Sequence, residues 1–251
     1  RERQTINQWV ADRTENRITN LLPNGSINGD TRLVLTNTVY FLGDWVFPFK
    51  ARHTKDEKFH TSTGATIDTP TMKLTKKLLH YSDDSLAILA LPYKGDDLEF
   101  IIILPHDKLG LSAIESSLSS IELQKKMDLL STREVVVHLP RMDLAQSFQL
   151  NKVLQHMGME KAFAPKTADF SGMTDTGGLF ISSVVHKSFL KVDEKGTEAA
   201  AATSVNIALT SMPSQSNPPI HFNADHPFLF MIRQKGTGAI LFLGRLENPA
   251  Q

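Results

Sequence analysis

The sequence predicts an α+β fold in which antiparallel strands dominate. Strand-like segments rich in β-branched and aromatic residues outnumber the helical ones, and they do not alternate with helices as they would in a parallel α/β sheet. The chain has 251 residues, of which 41% are hydrophobic, so it has ample material for a core. We therefore expect helices gathered around large sheets.

The first predicted helix spans residues 5–22, where Ile6, Val10, Ile18 and Leu21 recur at helical spacing. A Pro-Asn-Gly turn at residues 23–25 would end this helix. The next segment, residues 32–43, is dense in Val, Leu, Thr, Tyr and Phe with little polar alternation. That composition is typical of a central strand covered on both faces.

The middle of the chain predicts a meander of antiparallel strands. Short strand runs lie within residues 59–74, and two longer strands at 79–91 and 98–104 are joined across Lys94, Gly95 and Asp96. The pattern of residues 109–130 predicts two short helices, with a break near Ser119 and Ser120.

The last part of the chain predicts further strands around one helix. Pro140, in the middle of the strand-like run 133–150, marks an edge, a bend or a switch between sheets. The later elements are a helix at 151–163, weakened near its end by Gly158, and strands at 179–192, 228–233 and 239–246.

Charge and composition exclude several classes of function. The 27 basic and 27 acidic side chains cancel, so no net charge draws the chain to nucleic acid or to an anionic membrane surface. Its apolar runs, such as residues 100–104, are far short of the roughly 20 residues of a membrane-spanning helix. Cysteine is absent, which excludes disulfides, thiolate metal sites and cysteine nucleophiles.

The sequence also lacks recognisable catalytic apparatus. It contains no Gly-x-Ser-x-Gly, phosphate-loop or His-Glu-x-x-His motif, and its nine histidines have no metal-ligand spacing. We therefore predict no metal, no cofactor and no enzymatic activity. His186 stands out because it lies in mid-strand among serines, where a structural hydrogen-bonding role is favoured over a catalytic one.

Asn24 begins an Asn-Gly-Ser tripeptide that fits a glycosylation acceptor. The same tripeptide serves equally well as a plain turn, so it gives only weak support for secretion. We expect an extracellular, secreted protein, and a cytoplasmic one stays open.

The most informative segment is a long stretch of small and polar residues after Glu194. By composition it is a surface loop, either flexible or partly helical through its alanines. As an extended strand it would place Thr197, Ala199, Ala201 and Thr203 on a face able to lie on a core. Because no proline occurs between Glu194 and Pro213, this loop could become an interior strand, with Gly196 as its hinge.

These residues resemble the serpin family. The hinge is similar to that of inhibitory members almost residue for residue, and its residues are Glu194, Gly196, Thr197, Glu198, Ala199, Ala200, Ala201, Ala202 and Thr203. Residues 37–45 resemble the central strand of sheet A with Trp45 at its top, and residues 226–230 with 242–245 resemble the C-terminal signature. The resemblance implies a serpin fold, with a large mixed sheet A, sheets B and C, and surrounding helices.

The resemblance also implies a mechanism. A serine protease attacks the exposed loop, about residues 194–219, and forms an acyl-enzyme. The freed loop then inserts into sheet A and the protease is distorted before deacylation. The family register places the scissile bond at Thr210-Ser211, or one residue earlier after Leu209. Elastase-, subtilisin- or chymotrypsin-like targets are implied; a non-inhibitory carrier or chaperone, or an inhibitor of papain-like cysteine proteases, stay as alternatives.

Two polar pairs acquire gating roles through the same resemblance. Asn37 and His186 match the group that opens and closes the strands of sheet A, and Glu194 and Arg141 match a salt bridge beside Trp45 where insertion begins. Because backbone hydrogen bonds and ordering entropy nearly cancel, strain must drive insertion. We therefore expect strands 32–43 and 179–192 to be held apart in the active state.

The resemblance places residues 5–22 on helix F of a serpin, so that residues 1–251 would be the C-terminal two thirds of a single serpin domain. We therefore expect the N-terminal third as a separate fragment or as an omitted part of the same protein. That fragment and the protease are the predicted partners.

Overall fold

The computed structural model describes residues 1–197 and 218–250. The chain divides into two compact units, described separately below: unit 1 comprises Arg1–Phe41 and Leu144–Leu190, and unit 2 comprises Leu42–Asp143 and Lys191–Gln251. The α-helices of the described residues are α1 (Glu2–Arg13), α2 (Leu111–Ser117), α3 (Ser120–Asp128) and α4 (Asn151–His156).

Strands dominate the described residues, as the sequence predicts. In chain order they are β1 (Leu33–Tyr40), β2 (Gly43–Asp44), β3 (Lys55–His60), β4 (Thr66–Ser82), β5 (Leu86–Pro92), β6 (Leu98–Pro105), β7 (Ser131–Pro140), β8 (Met142–Gln149), β9 (Ile181–Val192), β10 (Gly196–Thr197), β11 (Ile220–Asn223), β12 (Phe228–Gln234) and β13 (Ile240–Leu246).

Unit 2 is built on one large sheet with the order β11-β7-β4-β5-β6-β12-β13, and β3 pairs with β4. The predicted meander is confirmed: β5 and β6 pair antiparallel across a turn where Gly95 and Asp96 have φ of 95° and 61°. Glycine and aspartate are residue types that adopt this left-handed conformation readily.

One core cluster of unit 2 lies between this sheet and the two helices of residues 111–128. Ile88, Ile101 and Ile103 of the sheet are almost fully buried and cluster with Ile114 of α2 and Met127 of α3. The predicted break between the helices is also confirmed, because Ser119 caps α3 in a reciprocal capping box with Glu122.

Unit 1 contains a parallel pairing of β1 with β9, and β8 also pairs with β9. Val10 of α1 and Val185 of β9 belong to one buried cluster with Ile18, Leu21 and Leu22. Val34 of β1 also packs against this cluster. The described residues thus place helix α1 and the turns after it over one face of the strands.

Helix α1 is shorter than predicted. It ends at Arg13, because Glu15, Asn16 and Asn20 take left-handed backbone conformations that a helix does not contain. The apolar residues beyond Arg13 are nevertheless buried, which explains their misleading helical spacing. Asn7 fixes this return: its side chain donates to the Leu22 carbonyl at 2.9 Å and accepts from the Leu22 amide at 2.8 Å.

Two further predictions need correction, and one strand was not predicted. Residues 79–91 are not one strand, because a turn capped by the Asp83 carboxylate separates β4 from β5. The helix predicted at 151–163 ends at His156, ahead of Gly158 with its φ of 97°, and only a short 3-10 turn follows at Lys161–Phe163. Strand β11 has no counterpart among the predicted strands.

The strands expected to be held apart in the active state are paired in this structure. Residues 33–40 of β1 are in register with residues 181–189 of β9, and Asn37 lies opposite His186. Strand β1 is also not covered on both faces within unit 1, since its residues are exposed or only partly buried and Leu35 is 40% exposed. Direct pairing satisfies backbone groups that an open gap would leave without partners.

Candidate functional site

The candidate site in unit 2 is a hairpin at the end of β9. After Val192 the chain reverses through residues 193–195, and Thr197 of β10 pairs antiparallel with Val192 and also with Gly43 of β2. The amide of Asp193 donates to the Gly196 carbonyl at 2.9 Å, which closes the turn. The hinge that the sequence predicts therefore already begins a strand in this structure.

The turn itself is bonded to the segment after β2. The amide of Trp45 donates to the Lys195 carbonyl at 2.9 Å, and the amide of Phe49 donates to the Glu194 carbonyl at 2.8 Å. The indole Nε1 of Trp45 also donates to the Asp193 carbonyl at 3.0 Å. Three successive carbonyls of the turn are thus fixed, which determines where the hinge leaves β9.

Glu194 forms the polar centre of this hairpin. Its carboxylate accepts from Arg141 through Nε at 3.0 and 3.1 Å and through Nη2 at 2.5 Å, and it accepts from the Thr54 hydroxyl at 2.5 Å. Burial works to raise the pKa of Glu194, but the hydrogen bonds from Arg141 and Thr54 outweigh it and hold this pKa below its ordinary value. Glu194 is therefore held as a carboxylate beside the turn.

Trp45 anchors an aromatic cluster beneath the turn. It is 1% exposed and stacks on Tyr93 with ring centroids 4.5 Å apart, while Phe49 and Phe100 meet it edge to face. An isolated bridge pairs the backbone of Trp45 with that of Tyr93. Stacked and edge-on contacts of this kind hold rings in a fixed geometry.

Thr197 points into this cluster. Its side chain is fully buried and its hydroxyl lies 2.6 Å from the Tyr93 hydroxyl. Burial raises the pKa of the Tyr93 phenol well above its ordinary value, and the hydrogen bond with Thr197 opposes this only in part. The two hydroxyls therefore form a neutral, buried pair.

Gly196 is required by close approach to the neighbouring strand. A Cβ built on it would lie 1.9 Å from the Gly43 carbonyl oxygen and 2.7 Å from the Asp44 Cα. Both are backbone atoms, which cannot rotate away as a side chain can. Any other residue at this position would have to displace β10 or β2.

The second predicted pair lies in unit 1. The Asn37 side-chain oxygen and His186 Nδ1 are 2.8 Å apart across the β1–β9 pairing. The His186 ring stacks on Phe148 of β8, with centroids 6.2 Å apart and an angle of 17° between the planes. Asn37 and His186 thus tie together the two strands whose separation the resemblance invokes.

Several predicted residues lie outside the described part of the chain. They are Glu198, Ala199, Ala200, Ala201, Ala202, Thr203, Leu209, Thr210 and Ser211. Asn24, the predicted glycosylation acceptor, is exposed in a turn where the Ser26 hydroxyl donates to the Pro23 carbonyl at 2.7 Å.

Sequence analysis missed Tyr93, Thr54 and Phe148 as members of these two sites. Tyr93 closes an apolar strand, a position typical of a core residue, and Thr54 is one of many surface-type threonines. The only local signal for Tyr93 is a polar hydroxyl on an otherwise apolar run, which calls for a buried partner.

Similarity to known proteins agrees with this architecture. A family model described as Serpin (serine protease inhibitor) matches residues 1–249, so the chain belongs to the serpin family. Human Serpin B13 is 40% identical over 251 residues, covering 98% of this chain and 63% of its own length. Serpin B10 of Rhinolophus ferrumequinum is 39% identical, with 98% and 62% covered.

Solved structures give the same fold. Uncleaved ovalbumin superimposes with a TM-score of 0.86 at 29% identity, covering 98% of this chain and 62% of its own. Serpin48 of the insect Tenebrio molitor gives a TM-score of 0.85 at 35% identity, with 98% and 64% covered. The predicted α+β serpin fold is confirmed, and the chain spans a little under two thirds of the length of these relatives.

Residues 1–197 and 218–250 contain no helix long and apolar enough to cross a membrane. Over the same residues, no group of three or more histidine or acidic side chains is arranged to hold a metal ion.

Proposed function

We propose that the complete protein to which this chain belongs inhibits serine proteases by inserting its cleaved loop into a sheet. The observation that carries the proposal is the β9–β10 hairpin. The chain after β9 has already turned back, and Gly196 and Thr197 already pair with β2 in the sense an inserting strand requires. Apart from Glu198, the residues that follow up to Thr203 are alanine or threonine, whose small side chains would meet little steric resistance between two strands.

Insertion requires the β1–β9 pairing of unit 1 to open. Its two strands run parallel, so a strand that continues from the β9–β10 hairpin would be antiparallel to both. The bonds of one parallel pairing would then be exchanged for those of two antiparallel pairings, which are slightly more stable per residue. The bond between Asn37 and His186 has to break in this exchange, which gives the pair its proposed gating role.

The protease chemistry supplies the timing. The serine hydroxyl of the protease attacks the carbonyl carbon of Thr210, and the protease histidine passes the hydroxyl proton to the Ser211 nitrogen. The Thr210-Ser211 bond breaks as the ester forms, and Ser211 is released with a free amino group. The ester persists only where insertion distorts the protease before water attacks. Insertion therefore competes with deacylation, and the number of inhibitor molecules consumed per complex measures that competition.

The target follows from the residue before the cleaved bond. Thr210 is small and β-branched and suits the shallow pocket of elastase- or subtilisin-like enzymes, whereas cleavage after Leu209 would suit a chymotrypsin-like enzyme. Residues 196–217 contain no lysine or arginine, which argues against a trypsin-like target.

The proposal includes a completing segment. We infer that an N-terminal third, covalently joined or noncovalently bound, makes one serpin domain with residues 1–251. Extracellular localisation is part of the same proposal and rests on the exposed turn at Asn24. A mobility shift after N-glycosidase treatment tests glycosylation at Asn24, and Asn24→Gln removes the shift.

The decisive experiment incubates the complete protein with an elastase-like protease and looks for an SDS-resistant complex. Thr197 is fully buried, so Thr197→Arg should block entry of the hinge and leave a loop that is cleaved without complex formation. Lys195→Gln, at an exposed neighbouring position, is the matched control and should still form the complex. An SDS-resistant complex with Thr197→Arg, or simple cleavage of the wild type, would overturn the proposal.

A further inference from the structure

We propose that Tyr93 is a positioning residue for loop insertion, which it serves by holding Thr197 in place before any protease arrives. This inference rests on the proposed function and names a group that helps to start the insertion step. It is carried by one contact, the 2.6 Å hydrogen bond between the buried hydroxyls of Tyr93 and Thr197.

Tyr93 is itself rigidly held. It is 1% exposed, its ring stacks on Trp45 at 4.5 Å, and its amide donates to the Leu98 carbonyl at 3.0 Å. The indole of Trp45 is in turn bonded to the Asp193 carbonyl in the hinge turn. The Tyr93 hydroxyl therefore occupies a fixed point beneath the hairpin, and Thr197 reaches it only when the hinge has reversed.

The contact matters because the first residues of a new strand are the least favourable to order. Chain reversal fixes backbone dihedrals before a ladder of hydrogen bonds can compensate. Thr197, as the first inserted side chain, has one backbone partner in Val192 and one in Gly43. The hydroxyl pair adds a side-chain bond at this point, so that insertion after cleavage continues an existing strand.

The hydroxyl and the ring of Tyr93 have separable roles. The ring packs on Trp45 and supports the core, whereas the hydroxyl is the group that reaches Thr197. Tyr93→Phe keeps the ring and removes that bond, leaving the buried Thr197 hydroxyl without this partner. When both hydroxyls are removed, neither residue keeps a buried hydroxyl that has lost its partner in this pair. Matched removal of both partners of a hydrogen bond changes the stability little.

The test compares Tyr93→Phe, Thr197→Val and the double variant in the complete protein. Because Tyr93→Phe loses one hydrogen bond, we expect the number of inhibitor molecules cleaved for each complex formed to rise by about two- to tenfold. In the Thr197→Val background the same substitution should have no effect. Tyr81→Phe, which removes a hydroxyl bonded to Asp83 at 3.2 Å in the same unit, is the control and should leave this ratio unchanged.

Hydrogen exchange in the free protein provides a readout that needs no protease. Tyr93→Phe should speed hydrogen exchange of the amides in residues 43–44 and 196–197 by about two- to tenfold, the effect of losing one hydrogen bond. Tyr81→Phe should leave these exchange rates unchanged. If Tyr93 served overall stability alone, Tyr93→Phe would lower the melting temperature without changing the number of inhibitor molecules cleaved per complex. That loss of stability would also persist in the Thr197→Val background.

The outcomes separate the two proposals. If the wild type forms the SDS-resistant complex, and Tyr93→Phe divides between complex formation and simple cleavage in the same ratio as the wild type, this inference fails and the proposed function stands. If the wild type forms no complex, the proposed function fails and this inference falls with it, whatever the exchange rates show.

Discussion

Glu194 offers a direct test of how the hinge turn is stabilised. Its side chain is 10% exposed, and its carboxylate accepts hydrogen bonds from Nε and Nη2 of Arg141 and from the Thr54 hydroxyl. Glu194→Gln keeps the shape of the side chain and one acceptor oxygen but removes the charge. The variant therefore isolates the ionic part of these contacts.

The expected loss of stability lies between two limits. Breaking a fully buried ion pair destabilises by about 3–5 kcal/mol, and hydrogen bonds to charged groups contribute about 1.5–3 kcal/mol. Arg141 is 47% exposed, so water takes over part of its solvation when the carboxylate is lost. We therefore expect Glu194→Gln to lower the free energy of unfolding by about 2 kcal/mol, a value within the range for hydrogen bonds to charged groups.

The effect has a defined pH dependence. The pKa of Glu194 is lowered in the folded protein, so its ionic contribution is fully present above the pKa of an unfolded glutamate, about 4.3. The contribution is lost as the pH falls through the lower, folded pKa. The stability difference between the wild type and Glu194→Gln should therefore disappear in acid.

Denaturant unfolding of the complete protein measures this prediction, and Lys58→Gln is its control. Lys58 and Asp68 form an ion pair of 2.9 Å whose side chains are 65% and 60% exposed, and such surface pairs contribute about 0–1 kcal/mol. Equal losses in Glu194→Gln and Lys58→Gln, or a difference that grows as the pH falls, would refute the reasoning.

Two further predictions follow from packing. Gly196→Ala would place a Cβ 1.9 Å from the Gly43 carbonyl oxygen, so it should destabilise by about 1–3 kcal/mol and speed amide exchange in β2, whereas Gly236→Ala, with no atom within 4 Å of its Cβ, should do neither. Residues 1–251 expressed alone should aggregate, because Leu241 and Leu243 are 49% and 67% exposed on the last strand of the described sheet. A monodisperse preparation with a cooperative melting transition would contradict this second prediction.

The sequence predicts best where local chemistry decides the backbone. The turn at residues 94–96 needs left-handed conformations, and Gly95 and Asp96 supply them. The break between α2 and α3 follows from a serine that caps a helix and a glutamate three residues later. Pro140 has a local effect too: β7 ends there, and β8 begins two residues later and pairs with β9 instead.

The sequence fails where distant partners decide the structure. Ile18, Leu21 and Leu22 keep helical spacing, but they are buried by turns that Asn7 and Thr14 hold through hydrogen bonds to residues further along the chain. Strand β11 has only four residues, and its parallel pairing with β7 gives it its place in the sheet. No window of local sequence contains that partner.

The site shows the same division. The size and flexibility of residues 196–203 are local properties, so Gly196 and Thr197 could be proposed as hinge residues from sequence. The partners of the hinge lie far away in the chain, and the separation of 104 positions between Tyr93 and Thr197 leaves no pattern to detect. Thr54 and Glu194 are separated by 140 positions in the same way.

In the proposed insertion, the buried position of Thr197 would fix which face of the hinge enters the sheet. Alternation along an extended strand would place Thr197 on the same face as the small residues two, four and six positions later, and opposite Glu198. A register shifted by one residue would turn the Glu198 carboxylate toward the aromatic cluster of Trp45 and Tyr93, and burial of an unpaired charge is strongly unfavourable. In the proposed insertion, the hydroxyl pair with Tyr93 would therefore favour, at the first inserted residue, the register that keeps Glu198 away from this cluster.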